Sequence, residues 1–402
     1  MKILWVKTDF LHPTTRGGQI RTLEMLRQLH KRHEIHYVAF NDPAFPEGLR
    51  RSSEYCTHAY PIEQRIVPKQ SLRFAGTLVA GLFSPIPVAG MRWRSAAMRE
   101  TIARLLSEQS FDTKVCDFLF PSINIPDMRG WILFQHNVET IIWERHASAG
   151  RSPLHRAYFG IQARRMREWE RTVCLQAAQV LTVSPIDEQL VRERFGVQNT
   201  SSVPTGVDVE YFERPANVTL SHDLVFVGSM DWMPNIDGVR WFFDEILPII
   251  RRRKPECRVA IVGRRPPAHI AAEAKNPLTT ITGTVPDVRP FLWESAVSIV
   301  PLRVGGGTRL KIFEAMAAGT PVVSTTIGAE GLPVRHGEEI RIADAPDRFA
   351  EECLRLLEDA EERRRMSAAG LDLIHSKFSW EQVTRQFEQS LRAVDASVSQ
   401  TA

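Results

Sequence analysis

Short runs of apolar, β-branched residues recur along the chain, and longer stretches with helical periodicity separate them. The runs are KILWV, EIHYVAF, TKVCDF, GWILFQ and QVLTVS in the first half and DLVFVG, CRVAIVG, LTTITG, VSIVPL and PVVST in the second. Unbroken Val, Ile and Leu runs are typical of parallel strands that helices cover on both faces. The alternation therefore predicts an α/β protein with two doubly wound parallel sheets.

The stretches between these runs include QIRTLEMLRQLHKR, RMREWERTVCLQAA, DGVRWFFDEILPIIRRR and RLKIFEAMAAG, which we predict as helices. A segment rich in Ser, Thr, Pro and Asn, residues 199–223, separates the two halves. We predict an N-terminal domain over residues 1–205 and a C-terminal domain over 206–375. The amphipathic end of the chain, residues 376–402, is predicted as a helix that packs back across the domains.

Composition excludes several classes of protein. A chain of 402 residues is longer than a single hydrophobic core usually supports, which agrees with two domains. The formal net charge of +4 is small for this length and does not indicate a partner made of nucleic acid. Five scattered cysteines without a CxxC pair indicate reduced thiols in a cytoplasmic protein, and neither disulfides nor a metal site.

The longest uncharged stretch, residues 74–91, contains Pro85 and Pro87, so we do not expect it to form a regular membrane-spanning helix. Arginines follow it in two groups. These are Arg92, Arg94 and Arg99, and then Arg151, Arg156, Arg164, Arg165 and Arg167. They are either solvated faces or, together with the apolar stretch, a surface for peripheral contact with anionic lipid on the inner face of the cell membrane.

The stretch PLRVGGGTRLKIFEAMAAGTPVVS, residues 301–324, places a glycine-rich turn between a predicted strand and a predicted helix. In an open α/β sheet, ligands bind at the carboxyl ends of the strands, where such turns lie. The start of the following helix offers unpaired N–H groups to a phosphate. Gly306 and Gly307 let the backbone come close to such an anion. The sequence is neither a P-loop nor a GxGxxG fingerprint.

Charged residues follow the same turn. Arg309 and Lys311 add positive charge, and Glu314 has two acceptor oxygens that suit a vicinal diol such as a ribose. The pattern predicts a site for an anion attached to a group that carries hydroxyls. The alternative is a glycine-rich turn with a solvated arginine and lysine.

Two further candidates lie in the first half. Gly17, Gly18 and Arg21 lie where a predicted strand leads into a predicted helix, either as a phosphate or acceptor loop or as a flexible entry loop. His136 directly follows an apolar strand, where it is placed to hydrogen-bond a substrate or share a proton. A histidine that only caps the following helix is the alternative.

These motifs together resemble glycosyltransferase family 4. GGQIRTLEML looks like the glycine loop of that family, VPTGVDVEYF like its interdomain segment, and FVGSMDWMPNIDGVRWF and EAMAAGTPVVST like parts of its donor domain. The resemblance implies the GT-B fold, with two Rossmann-like domains facing across a cleft. It also implies a retaining enzyme of exopolysaccharide synthesis that moves a hexose from a UDP- or GDP-linked sugar to a saccharide or lipid-linked acceptor, without a metal or other cofactor.

The resemblance implies roles for individual residues. Glu314 would bind the nucleotide ribose, and His136 would contact the transferred sugar. The remaining positions are Gly307 and Thr308 at the diphosphate, Gly228, Ser229 and Val285 in the rest of the donor site, and Gly17, Gly18 and Arg21 in the glycine loop.

The chain departs from the family pattern in two places. Gly306 stands where the first glutamate of the family's E-x7-E pattern is expected. Ser229 stands where an arginine is expected, and the lysine expected after it is also missing. Either Arg309 and Lys311 replace the lost charges as catalytic cations, or the protein is a non-catalytic relative that only binds. Another GT-B enzyme, such as a sugar-nucleotide epimerase, is the remaining alternative.

Overall fold

The chain divides into two compact units in a computed structural model that describes residues 1–14, 17–63, 84–148, 152–304 and 309–399. Unit 1 comprises Met1–Pro204 together with Val383–Ala402, and unit 2 comprises Thr205–Gln382. The final helix therefore begins in unit 2 and continues in unit 1.

Unit 1 is built on a seven-stranded parallel sheet with the strand order β3-β2-β1-β4-β5-β6-β7. The strands are β1 Lys2–Val6, β2 Glu34–Asn41, β3 His58–Glu63, β4 Thr113–Asp117, β5 Ile132–Phe134, β6 Gln179–Thr182 and β7 Thr200–Ser202. The five predicted strands of this half are confirmed. The pattern missed β3 and β7 because both are edge strands with polar, partly exposed residues.

Helices connect these strands. They are α1 Gly17–His30, α2 Glu47–Arg50, α3 Val88–Met91, α4 Ala96–Glu108, α5 Glu139–Ser148, α6 Pro153–Gln176 and α7 Pro185–Phe195. Local sequence explains the bounds of α7. The Ser184 hydroxyl accepts a hydrogen bond from the Asp187 N–H, Pro185 occupies the first turn, and Gly196 ends the helix with φ 76°.

Unit 2 contains a six-stranded parallel sheet with the order β10-β9-β8-β11-β12-β13. The strands are β8 His222–Val227, β9 Val259–Val262, β10 Thr279–Ile281, β11 Ser295–Val300, β12 Val322–Ser324 and β13 Arg341–Ile342. The five predicted strands are again confirmed. Successive residues of β8 point to opposite faces, since Leu224 and Phe226 belong to one apolar cluster and Val225 to another. The prediction of two doubly wound α/β sheets is therefore confirmed.

The helices of unit 2 cover both faces of its sheet. They are α8 Val209–Phe212, α9 Met233–Trp241, α10 Leu247–Arg253, α11 Ala268–Ala271, α12 Arg289–Trp293, α13 Leu310–Ala317, α14 Pro346–Glu358 and α15 Ala360–Leu373. The last helix, α16 Trp380–Ser399, begins in unit 2 and continues in unit 1. A π-helical turn over Phe242–Ile246 joins α9 to α10, and another over Ile374–Phe378 follows α15. The predicted helix over DGVRWFFDEILPIIRRR is thus one nearly continuous element.

The strand order places a crevice at the same position in each sheet. The chain leaves β1 toward one side of the sheet and returns to pair β4 on the other, and β8 and β11 have the same relation in unit 2. In open α/β sheets, ligands bind outside the carboxyl ends of the strands at such a switch point. A ligand-binding site is therefore expected among the residues that follow β1, β4, β8 and β11.

The terminal helix α16 is tied to both units by aromatic side chains. A Cβ atom added to Gly206 of unit 2 would lie 2.5 Å from the Trp380 ring, so this position needs glycine. Further along the helix, the Phe387 ring lies 5.6 Å from that of Trp5 and 5.0 Å from that of Phe134, between ring centroids. Its second half therefore completes the core of unit 1.

In the described ranges, each helix is either too short or too polar to cross a bilayer. Residues 74–83 of the apolar stretch and Arg151 lie outside the described residues. Two of the clustered arginines contact other side chains, since the Arg92 guanidinium lies 5.2 Å from the Trp93 ring and Arg167 pairs with Glu144.

We predict that Phe387→Ala lowers the free energy of unfolding by about 3–5 kcal/mol, because it leaves a cavity against Trp5 and Phe134. Urea titration followed by tryptophan fluorescence measures this loss. Gln389→Ala, at an exposed position of the same helix, is the matched control and should change the value by less than about 0.5 kcal/mol. Equal effects of the two variants would show that α16 is not part of the core.

Candidate functional site

A buried carboxylate lies at the switch point of unit 1. Asp117, the last residue of β4, has its Oδ2 atom 3.0 Å from the Lys7 ammonium that follows β1. The same oxygen accepts hydrogen bonds from the Trp5 indole at 3.0 Å and the Thr22 hydroxyl at 2.7 Å. Its Oδ1 atom lies 2.8 Å from Nε2 of His136. One carboxylate therefore organises residues from β1, α1 and the turn after β5.

Burial and neighbouring charges set the protonation states of Asp117 and His136. Burial by itself would raise the pKa of Asp117, but Lys7 and the His136 ring hold that pKa well below its usual range. Burial lowers the pKa of His136 to about 3, against the opposite pull of Asp117. His136 is therefore a neutral imidazole near pH 7.

The two ring nitrogens of His136 face different neighbours. Nε2 lies 2.8 Å from Oδ1 of Asp117, but the two atoms are not aligned for a hydrogen bond. Nδ1 faces α1, since a Cβ atom on Gly18 would lie 3.3 Å from it. A neutral imidazole has one donor and one acceptor nitrogen, so the ring can hydrogen-bond a substrate hydroxyl.

Phe118 holds the His136 ring in place and was not among the predicted site residues. Its ring stacks on that of His136 at 4.1 Å between centroids with a 23° tilt, and the Lys7 ammonium lies 4.6 Å from its centroid. The Phe118 backbone has φ 77°, which is rare for a residue with a bulky side chain. Such strain is typical of functional sites, and nothing in the local sequence signals it.

The predicted glycine loop is corrected in position. Gly17 and Gly18 form the first described turn of α1 instead of preceding it. The space at Gly18 is tight, because a Cβ atom there would lie 3.0 Å from the Phe118 ring. A side chain at Gly18 would therefore force the Phe118 ring to shift. A Cβ atom on Gly17 would meet no atom within 4 Å.

Arg21 on α1 is a buried cation, as its side chain is only 2% exposed. Burial lowers its pKa to about 9, while Asp117 and Asp187 raise it. Its Nη2 atom has no hydrogen-bond partner within the described part of the chain. Arg21 therefore retains hydrogen-bonding capacity beside the Asp117 cluster.

Glu170, in the middle of α6, holds the loop that carries His136. Its buried carboxylate accepts hydrogen bonds from the backbone N–H groups of Glu139 at 2.9 Å and Thr140 at 2.8 Å, and from the Gln135 amide at 2.9 Å. This caps the start of α5 with a negative charge. Burial, reinforced by Glu170, raises the pKa of Glu139 to about 7. No local motif marks Glu170, because its partners are distant in sequence.

In unit 2, Lys311 reaches from α13 to the end of β8. Its ammonium donates a hydrogen bond to the Asn235 side-chain oxygen at 2.7 Å and lies 4.4 Å from the Phe226 ring centroid. A Cβ atom on Gly228 would come within 3.0 Å of this ammonium. Asn235 in turn donates to the backbone oxygen of Ser229 at 2.7 Å. The structure therefore brings together Lys311, Gly228 and Ser229 of the predicted site.

Burial shapes the charges on α13. It lowers the pKa of Lys311 to about 7, although Glu314 opposes this change. It raises the pKa of Glu314, against the pull of Lys311. Arg309 precedes the helix with φ 50°, and its largely buried guanidinium lies 3.3 Å from Oε2 of Glu330. The predicted catalytic residues of this half thus share one helix start.

The predicted phosphate contacts Gly306, Gly307 and Thr308 lie outside the described residues. Val285 follows β10 and is partly buried against the apolar cluster of α13. Near it, Gly283 has φ 67°, a conformation that favours glycine.

An arginine that the sequence interpretation missed lies beside Ser229. The Arg264 guanidinium donates a hydrogen bond to the Ser229 hydroxyl at 2.9 Å and lies 3.2 Å from Asp231. Arg264 follows the end of β9. Its position just after a buried strand is the sequence feature that could have identified it as a site residue. A cation therefore stands next to the serine that replaces the expected arginine.

Comparisons with protein families match most of the chain. Residues 15–211 match the model described as Glycosyltransferase Family 4, and residues 221–359 match the model described as Glycosyl transferases group 1.

Two curated relatives align over most of their length. One is an uncharacterized 44.6 kDa protein in the cps region of Klebsiella pneumoniae, 22% identical over 88% of this chain and 90% of the relative. The other is a phosphatidyl-myo-inositol mannosyltransferase of Mycobacterium leprae, 26% identical over 79% of this chain and 84% of the relative. Among solved structures, sucrose-phosphate synthase from Thermosynechococcus elongatus has a TM-score of 0.69 at 16% identity, covering 99% of this chain and 100% of that one. This likeness supports the GT-B fold with two Rossmann-like domains.

We predict that His136 makes the protein less stable in acid. Between pH 6.5 and 4.5 the unfolded chain protonates this histidine and the folded chain does not, so stability falls as the pH falls. Wild type should lose about 2 kcal/mol more than His136→Gln over this interval. Urea titrations at both pH values measure the difference. Equal losses would contradict a neutral, buried His136.

Proposed function

We propose that this chain, which belongs to glycosyltransferase family 4 and is a glycosyltransferase of the GT-B fold, transfers a hexose from a nucleoside diphosphate sugar to a hydroxyl of a saccharide or lipid-linked acceptor. The observation that carries the proposal is the Lys311 ammonium at the carboxyl end of β8, where it donates to Asn235 and lies within 3.0 Å of a Cβ atom built on Gly228. A cation at the switch point of an open α/β sheet suits the diphosphate of such a donor.

The difficult step is departure of the nucleoside diphosphate from a sugar that develops oxocarbenium character. The C1–O bond to the diphosphate breaks and the electron pair leaves with the diphosphate. The acceptor oxygen bonds to C1 as its proton passes to the leaving diphosphate. Lys311 and Arg309 stabilise the charge that develops on the leaving group. A preorganised donor of this kind is worth about 2.7–4 kcal/mol. Glu314 binds the ribose hydroxyls.

Two cations support an active enzyme over an inactive relative. Lys311 lies next to Gly228, and Arg264 lies next to Ser229 and pairs with Asp231, so two cationic side chains reach the loop after β8 despite the missing arginine. Burial lowers the pKa of this ammonium to about 7, and titratable groups perturbed in this way cluster at functional sites.

In unit 1, His136 orients the transferred sugar through its Nδ1 lone pair. The charge of Asp117 beside Nε2 favours the proton on that nitrogen, and Phe118 fixes the plane of the ring. A neutral acceptor at this position aligns a sugar hydroxyl without adding a charge that would oppose the oxocarbenium character. Arg21 adds a cation from α1. Retention of the anomeric configuration is part of this proposal through the family resemblance.

The named relatives support a sugar and a cellular role. The Mycobacterium leprae relative is a mannosyltransferase, which makes mannose the first hexose to test. The Klebsiella pneumoniae relative lies in a cps region, which supports a role in the synthesis of a cell-surface polysaccharide. The five cysteines are free and buried, which supports a reducing, cytoplasmic environment, with any peripheral membrane contact made from that side.

The test of donor class follows nucleotide release and thermal stability with GDP-mannose, UDP-glucose and their free nucleotides. We expect one donor to raise the melting temperature and to release its nucleotide faster when a lipid-linked or saccharide acceptor is present. Stabilisation without any sugar transfer would favour the non-catalytic alternative. Conversion of the sugar while it remains attached to the nucleotide would favour an epimerase. No stabilisation by any donor would contradict the proposal.

We predict that Lys311→Met lowers kcat/KM by about 10²–10³-fold, because the leaving diphosphate loses a preorganised cation. Lys377→Met, at an exposed position of the same unit, is the matched control and should leave kcat/KM within about twofold. Both variants are compared at equal folded fraction by circular dichroism. A loss of activity no larger than the loss of folded protein would contradict the assigned role.

We further predict that kcat/KM of the wild type falls as the pH rises above about 7, because the free enzyme then loses the proton of Lys311. Lys311→Arg keeps its charge in this range and should lose this dependence, whatever its absolute rate. Bound diphosphate favours the ammonium, so kcat should fall only at higher pH. Identical pH profiles of the two proteins would assign the titration to another group.

A further inference from the structure

We propose that Glu34, His36 and His58 form a binding site for one zinc ion in unit 1. The three residues lie at the beginnings of β2 and β3. The Asp117 cluster lies at the carboxyl ends of the strands, so the two sites occupy opposite edges of the same parallel sheet. The zinc site is therefore separate from the transfer reaction and does not depend on the proposed function.

The sheet brings the three side chains together. Glu34 and His36 are two positions apart on β2 and so project from the same face. His58 on β3 is the direct cross-strand partner of His36. One oxygen and two ring nitrogens lie within 4.8 Å of one another. No such site is predicted from the sequence, because only the parallel pairing of β2 with β3 places His58 beside His36.

The distances suit zinc. Oε1 of Glu34 lies 2.8 Å from Nε2 of His36 and 3.7 Å from Nε2 of His58. Ligand atoms about 2.0 Å from a tetrahedral zinc ion are about 3.3 Å apart, which falls between these two values. Two imidazoles and one carboxylate form a ligand set that zinc uses in proteins, with a water in the fourth position.

A second layer of contacts orients His36. Its Nδ1 atom lies 2.9 Å from the Tyr60 hydroxyl, which leaves Nε2 on the side of Glu34 and His58. The Tyr60 ring stacks on the His36 ring with a 14° tilt, and the Phe111 ring meets it edge-on at 5.1 Å. Such partners fix the tautomer and the ring plane of a metal ligand. The buried ligand is thus preorganised.

One residue opposes a cation at this position. The Lys2 ammonium lies 3.7 Å from Oε1 of Glu34, in a pair whose side chains are both substantially exposed. A long, exposed lysine can swing into solvent when zinc takes its place, at the loss of a weak surface ion pair. Bound zinc would join the edge strand β3 to β2 and stabilise unit 1, since it binds the folded chain.

The first test titrates the full chain, freed of metal with EDTA, with Zn²⁺ alone in a calorimeter. We expect one saturable site and a rise in melting temperature with zinc. His58→Ala and Glu34→Gln should each weaken binding more than tenfold and abolish the thermal shift. His375→Ala, which removes an exposed histidine of unit 2, is the matched control and should bind as wild type does. Absence of binding, or equal binding by His58→Ala and wild type, would overturn the proposal.

The second test separates a built site from a fortuitous pair of surface ligands. Tyr60→Phe should weaken zinc binding by about tenfold, because the His36 ring loses the partner that orients it. Lys2→Gln should tighten binding about fivefold, because it removes a competing charge near Glu34. If neither variant changes the affinity while His58→Ala does, the zinc is held by exposed side chains only and the preorganised site is wrong.

Discussion

The structure of unit 1 at its switch point depends on the contacts of one buried group, the Asp117 carboxylate. It is fully buried, yet it stays ionised because Lys7 and polar groups of Trp5 and Thr22 surround it. A buried charge that lost these partners would cost several kcal/mol, so the strand ends and α1 are held together around it. The neutral state of His136 follows from the same burial. The chemistry of this half is thus a consequence of how its core is closed.

Unit 2 also has a charged group at its switch point, but there the group is the Lys311 ammonium. Lys311 crosses from α13 to the end of β8, where Asn235 and the Phe226 ring receive its ammonium. Neither partner carries a negative charge, so the ammonium is hydrogen-bonded but its charge is not neutralised by them. That is why burial can bring its pKa to about 7. In the proposed reaction, the donor diphosphate favours the charged form of this lysine.

Local pattern predicted only those candidate site residues that lie on one element. Lys311 and Glu314 were predicted because a glycine-rich turn after a buried strand marks a helix start, and the structure places Lys311 at the switch point. Asp117 was missed, although it ends a predicted strand, because a single aspartate there has no distinctive spacing. Glu170 was missed because its partners lie in another segment. The positive φ of Phe118 leaves no trace in composition.

The sequence by itself determined the α/β class, ten of the strands and the two-unit organisation, because unbroken apolar runs and helical periodicity are local properties of the chain. It did not determine β3, β7 or β13, whose pairing depends on neighbouring strands and not on their own hydrophobicity. Only the tertiary structure decided which charges meet. It placed Arg264 beside Ser229, Glu170 under the His136 loop and His58 beside His36. Parallel strand order and close packing set these distances, and neither property can be read from residue spacing along the chain.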